Sequence, residues 1–240
     1  MSAVLHSVAD GVATLTLNRP ESRNALNLEM CDLILKFSQE SFSNKDVRIV
    51  LVRAKGAVFC AGADLKERQG MNEAQVRERR MKGFAAYAAL EALPMPAIAV
   101  VQGPAVGSGC EIAGACDFIV ATPEASFRTP EAIRGTVGAT QRLPRILGKR
   151  LAKDMMFTGR TVTAEEAREA GLIARLVSSP DLETTLEEIK KIILSAPAQS
   201  LRLAKRCIDR GVELDPEGAL AAEIEAIEEQ LAAGTWMGKK

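Results

Sequence analysis

Residues 96–116 constrain the fold more than any other part of the chain. A short apolar run, Pro96-Ala97-Ile98-Ala99-Val100, leads into Val101-Gln102-Gly103-Pro104-Ala105-Val106-Gly107-Ser108-Gly109-Cys110-Glu111, and the small residues Ile112-Ala113-Gly114-Ala115-Cys116 follow. The run has the length and composition of a buried strand, and the small residues suit a closely packed helix. The order is therefore strand, glycine-rich loop, helix start. Gly107 and Gly109 permit backbone angles that a residue with a Cβ avoids, and they let a ligand approach the main chain closely. The first amides of a helix have no intrahelical acceptor and carry its positive end, so they can hold an anion or a developing oxyanion. Glu111 lies about one helical turn inside that site.

The rest of the first half repeats the theme. Residues 12–17 alternate as a strand after a turn at Asp10-Gly11. Asn27 suits the N-cap of a helix over 28–43 whose apolar face carries Leu33, Ile34 and Phe37. Residues 47–53 read as a buried strand, 55–64 as a second glycine-containing loop, 73–93 as a long amphipathic helix stopped by Pro94 and Pro96, and 118–121 as another strand. Strands alternating with helices imply βαβ units and a largely parallel sheet. Ligands in such folds gather at the carboxyl ends of the strands, where both loops lie. After Thr140 helical patterns follow one another, over 141–147, 149–157, 164–170, 182–194, 198–210 and 216–232. The expected organisation is an α/β core over 1–160 that holds the active site, and a helical C-terminal region over 161–240.

Composition narrows the chemistry. The formal charge balances, with 31 basic and 31 acidic residues, so no basic face for nucleic acid is expected. No apolar run is long enough for a bilayer. Cys31, Cys60, Cys110, Cys116 and Cys207 are scattered in apolar surroundings, as reduced thiols of a cytoplasmic protein are. With no Cys-x-x-Cys and no histidine cluster, no metal is expected. The only histidine is His6, in an edge strand far from any motif, which argues against a histidine-dependent nucleophile. The chemistry must rest on carboxylates, backbone amides, Lys, Arg, Tyr or Ser.

Two further stretches supply such groups. The second loop, Phe59-Cys60-Ala61-Gly62-Ala63-Asp64-Leu65-Lys66, is small enough for a ligand to meet the Ala63 amide. Ser126-Phe127-Arg128-Thr129-Pro130-Glu131 places a second carboxylate after a short strand and a proline. Taken singly, Glu131 also fits a surface helix start and Asp64 an N-cap. Together, two amide-bearing loops and two carboxylates have the parts of an oxyanion hole beside an acid/base pair.

These pieces occur in one order with Asn18-Arg19-Pro20, Asn24-Ala25-Leu26, Thr140-Gln141-Arg142-Leu143-Pro144 and Phe157-Thr158-Gly159. In that combination the chain resembles the enoyl-CoA hydratase/isomerase (crotonase) family from about Gly11 to Gly211. The resemblance implies a spiral core of stacked ββα/βαβ turns, a C-terminal helical region used in trimerisation, and a homotrimer or dimer of trimers. It implies an acyl-CoA thioester as substrate, in fatty acid metabolism, with no separate cofactor. By position, the amides of Ala63 and Ser108 would hold the thioester oxygen. Glu111 would activate water for attack at Cβ, and Glu131 would deliver or remove the proton at Cα. Ala25, Leu26, Ala61, Asp64, Leu65 and Lys66 match segments that line the CoA tunnel, and Gly107 opens the glycine-rich loop to the substrate. With both glutamates present, the expected activity is reversible syn hydration of a 2-enoyl-CoA. The alternatives are an isomerase or lyase of the same fold, an RNA-binding relative or a silent one. A lysine-rich RNA-binding helix is not matched, since 28–45 carries only Lys36 and Lys45 as basic residues. Ser108 stands where the family has glycine. The loop Gly135-Thr136-Val137-Gly138-Ala139 is a few residues shorter than usual, which bears on the acyl pocket.

Overall fold

The computed structural model describes residues 2–234. The chain opens with a hairpin, β1 (Val4–Ala9) and β2 (Val12–Leu17), turned at Asp10 and Gly11, both with positive φ. Helix α1 (Leu28–Ser43) begins where the Asn27 side chain accepts from the Met30 amide at 2.9 Å, and it returns the chain to β3 (Ile49–Ala54), parallel to β2. Helix α2 (Glu73–Glu91) starts with a capping box between Asn72 and Gln75. It leads to β4 (Ala97–Val101), β5 (Pro104–Val106) and the short α3 (Ser108–Gly114). Next come β6 (Phe118–Ala121) and β7 (Ser126–Arg128).

Two sheets result. One has the order β1-β2-β3-β4-β6 and is parallel beyond the first hairpin. The other is built on β5 and β7 in parallel. A strand in the first sheet is followed within a few residues by a segment of the second layer. β4 gives β5, β6 gives β7, β3 gives Cys60, which bridges Ala105, and β2 leads to Leu26, which bridges Ala63. Each passage through both layers is one turn of a spiral, and stacking the turns makes the two sheets.

The turn from β4 to β5 uses only Gln102 and Gly103. The Gln102 amide nitrogen donates to the carbonyls of Ala54 and Gly56 at 2.9 and 3.0 Å. Gly103 lies against the Ala57 carbonyl so closely that a Cβ would overlap it. Because that neighbour is backbone, relief requires moving a strand connection. Gly103→Ala is expected to cost about 1–3 kcal/mol or more, in the range of overpacked sites. Each kcal/mol lowers the melting temperature of a chain this long by roughly 2–4 °C. Calorimetry checks it, and an unchanged melting temperature would show that the crossover opens freely.

Strand side chains divide by parity. Val50 and Val52 join the main core with Ala97, Ala99 and Val101. Ile49, Leu51, Ile98 and Val100 face the other way, onto Leu182, Leu186 and Ile189 of a C-terminal helix. Both faces of the central strands are covered, which is why 49–52 and 97–101 read as unbroken apolar runs rather than alternating ones.

After Thr140 the helices lie close to expectation. These are α4 (Arg142–Thr158), α5 (Ala164–Glu169), α6 (Leu182–Ser195), α7 (Ala198–Gly211) and α8 (Pro216–Ala232). α4 is broken at Gly148, whose φ of 74° and ψ of 157° leave the helix, where the sequence divides two helical patterns. The expectation of helices alone requires correction. Two short strands, β8 (Thr161–Thr163) and β9 (Arg175–Leu176), pair with β7 and β6. At three and two residues they are too short to show a period, and only their distant partners make them strands. Among the described residues no helix is long and apolar enough to cross a membrane.

Candidate active site

The loops singled out in the sequence are tied together by main-chain hydrogen bonds. Cys60 donates to the Pro104 carbonyl at 3.2 Å and accepts from the Val106 amide at 2.8 Å. Leu26 donates to Gly62 at 2.8 Å and accepts from Asp64 at 2.8 Å. In a parallel bridge of that form the bonds to Leu26 come from the residues on either side of Ala63, so the Ala63 amide itself points away from Leu26. Gly107 donates to the Arg128 carbonyl at 2.8 Å and turns the chain into α3 with φ 52° and ψ −107°, outside the region open to most residues. Ser108 is then the first residue of the helix. Neither the Ala63 nor the Ser108 amide has an acceptor among the described residues.

Ala63, Ser108, Glu111 and Glu131 line one cavity of about 90 Å³, whose apolar wall includes Leu26, Phe84 and Tyr87. A larger groove of about 600 Å³ is lined by Ala25, Ala61, Asp64, Leu65 and Lys66, and Ala63 belongs to both. The predicted residues therefore fall into two adjoining spaces joined at Ala63. Gly107 lines neither, but it packs so tightly on Glu131 that a Cβ there would overlap the carboxylate.

The two glutamates sit in contrasting surroundings. Glu111 is 6% exposed, and its Oε2 accepts from Arg142 Nη1 at 2.6 Å. Arg142 also pairs with Glu91 at 2.6 Å and lies over the Tyr87 ring, 5.9 Å from its centre. Glu131 has no such cation. Its Oε2 is buried and without a hydrogen-bond partner among the described residues. Burial raises its pKa, with the nearby Glu111 adding to the effect and Arg134 and Arg80 opposing it. One carboxylate is paired and the other is pushed toward its neutral form, the division that separates a base from an acid. Tyr87 is also shifted upward by burial, against a hydrogen bond with the Ser108 side chain, so its phenol stays protonated.

Asp64 is committed to structure. Burial alone would raise its pKa, but Arg19 at 2.9 Å and the amides of Lys66 and Glu67 outweigh it and hold the carboxylate ionised. It shapes the groove and is not free for proton transfer. The thiols are poor nucleophiles. Burial pushes Cys60 up to about 12 and Cys110 further, and thiolate is the reactive form. His6 stands in edge strand β1. Among the described residues no cluster of three metal-binding side chains occurs.

Several residues in and behind the site escape sequence reasoning. Arg142 belongs to a motif, but nothing in its spacing reveals a partner 31 positions away. Tyr87 reads as an ordinary helix-core aromatic. Arg79 reads as part of a solvated face, yet it is 5% exposed and tied to Glu67 at 2.7 Å and to the Leu26 carbonyl.

The sequence model of the enoyl-CoA hydratase/isomerase family matches residues 7–235. The chain is 42% identical over 224 residues to YngF of Bacillus subtilis, which bears a provisional enoyl-CoA hydratase/isomerase name; the match covers 92% of this chain and 86% of YngF. It is 37% identical to the short-chain-enoyl-CoA hydratase of Clostridium acetobutylicum, over 91% of this chain and 85% of that one. The crystal structure of an enoyl-CoA hydratase from Bacillus anthracis superposes with a TM-score of 0.91 at 36% identity, over 94% of this chain and 90% of that one. A family match over nearly the whole length, and a backbone that follows a solved relative through both layers of the spiral, lead to one conclusion: the chain belongs to the enoyl-CoA hydratase/isomerase family.

Proposed function

We propose that the protein hydrates 2-enoyl-CoA thioesters, with the CoA moiety in the groove around Lys66 and the acyl group in the cavity between Glu111 and Glu131. The carrying observation is that Ala63, Ser108 and both glutamates line one cavity, and that Ala63 is also part of the adjoining groove. A thioester crossing from one space to the other puts its carbonyl beside the Ala63 amide.

The chemistry follows from what lies around that carbonyl. Addition of water to a conjugated thioester moves the π electrons onto the carbonyl oxygen as an enolate. The Ala63 and Ser108 amides stabilise that charge without reorganising, and losing one such donor typically costs about 10²–10³ in rate. Glu111 takes a proton from water as its oxygen bonds to Cβ. Glu131 gives its proton to Cα, the enolate collapses to the thioester, and a proton returns from Glu111 to Glu131 through solvent. The names that these relatives carry favour the same reading. Loss of the conjugated absorbance of crotonyl-CoA tests it. Absence of loss, with turnover of a 3-enoyl-CoA, would make the protein an isomerase.

Arg142 gives Glu111 its aim. Holding Oε2 leaves Oε1, which has no hydrogen bond among the described residues, to face water. Arg142→Gln is expected to lower kcat for hydration by about 10–10²-fold with little change in KM, as a misplaced reacting group does. Arg142→Lys should recover part of it. Equal kcat in the wild type and Arg142→Gln would detach Glu111 from this ion pair.

The apolar side chains Ile208, Val212, Leu220, Ile224 and Ile227 of the α7–α8 region are exposed in the single chain, and we place the subunit contacts of a trimer there.

A further inference from the structure

The acyl cavity holds more positive charge than hydration requires. Three arginines line it: Arg68, Arg79 and Arg80. Arg79 is matched by Glu67 at 2.7 Å, and Glu111 is matched by Arg142 at 2.6 Å. Glu131 is shifted toward neutrality by burial, so it offers little compensation. Arg68 has no hydrogen bond or ion pair from its side chain among the described residues. Arg80 donates to two neutral acceptors, Thr136 Oγ1 at 3.1 Å and the Val137 carbonyl. A guanidinium has five N–H donors, so Arg80 keeps some in hand. The whole chain is charge-balanced, so the excess is local to this cavity. The CoA groove has cations of its own in Arg23, Lys66, Arg128 and Arg134, and phosphates held there leave Arg68 and Arg80 unmatched.

A half-buried, unmatched cation is costly beside an alkyl chain, which supplies no acceptor and displaces water. A carboxylate is its natural complement, through short charge-assisted and frequently bidentate hydrogen bonds. We propose that the preferred acyl group is a short 2-enoyl chain ending in a carboxylate, which Arg68 and Arg80 recognise from the cavity wall. This rests on the hydratase reading for its reaction but not for its recognition. Arg80 has a second part in the assignment. It ties the shortened loop at Thr136 and Val137 to α2, so the loop's closeness and the cation's placement are one feature.

Two five-carbon substrates isolate the terminal group: glutaconyl-CoA, ending in carboxylate, and 2-pentenoyl-CoA, ending in methyl. Hydration should show kcat/KM at least tenfold higher for glutaconyl-CoA. Arg68→Met and Arg80→Met should each reduce that ratio several-fold, and the double variant should abolish it. Comparable kcat/KM for the two substrates in the wild type overturns the proposal. So does an equal fall for both in the variants, which would assign the arginines to CoA or to the fold. Titration calorimetry with the saturated pair, glutaryl-CoA and pentanoyl-CoA, reads recognition without turnover. At least tenfold tighter binding of glutaryl-CoA, lost in the double variant, upholds the proposal even if no 2-enoyl-CoA is hydrated, and equal Kd values sink it. Failure to hydrate any 2-enoyl-CoA removes the hydratase reading alone.

Discussion

Glu131→Gln is expected to lower kcat for hydration by at least about two decades while CoA-thioester binding persists, because a positioned carboxyl group contributes on the order of 10²–10⁴ in proton transfer. The amide keeps the size of the side chain, so the packing against Gly107 and Gly138 survives. What is lost is the ability to give and take a proton at Cα. The environment adds a pH signature. Burial raises the Glu131 pKa, and hydration uses its protonated form. Activity in that direction is present below the raised pKa and falls as pH rises through it. Dehydration uses the ionised form and shows the opposite slope. Both limbs should vanish from the residual activity of Glu131→Gln. Turnover of crotonyl-CoA within a factor of about three of wild type would remove Glu131 from the proposed mechanism, since general acid–base catalysis is worth far more than that.

How much of this is legible in the chain depends on the distance over which each feature is decided. Helix α1 and strand β6 fall where expected, because Asn27 caps its own helix and an apolar run bounded by polar residues needs no outside help. The break at Gly148 is local too. By contrast β8 exists because Val162 lies opposite Phe127, and β9 because Arg175 lies opposite Val120. No pattern of two or three residues announces that. The same divide runs through the site. Ala63, Ser108, Glu111 and Glu131 stand in or directly after loops whose glycines and prolines mark them out. The cations around the two glutamates are remote: Arg142 meets Glu111 from α4, and Arg80 approaches the cavity from a helix face that reads as solvated. Arg79 shows the limit most clearly, as a buried cation on a helix whose hidden stripe is Arg79, Gly83, Ala86, Tyr87 and Leu90. A search for apolar periodicity passes over an arginine and a glycine, although the buried arginine joins the Asp64 amide in donating to the Leu26 carbonyl, opposite Ala63.

Glu111→Gln separates the two halves of the proposed reaction. Its amide cannot take a proton from water, so hydration should fall by about 10²–10⁴, the range for a positioned base. Exchange of the Cα proton of a saturated acyl-CoA with solvent needs only Glu131 and the two amides, so it should persist within about an order of magnitude. The substitution also weakens the ion pair to Arg142, which keeps Glu91 at 2.6 Å and the Tyr87 ring as partners. The guanidinium is therefore not stranded, and a melting temperature close to wild type is the control that the fold survives. Deuterium uptake at Cα, followed by mass spectrometry beside the crotonyl-CoA assay, reads both activities on one sample. Loss of exchange in step with hydration would mean that Glu111 is not a dedicated activator of water, and that the two carboxylates act as one coupled group. Retained hydration would transfer the water-activating role to Glu131 alone, leaving the Arg142 ion pair a purely structural contact between α3 and α4.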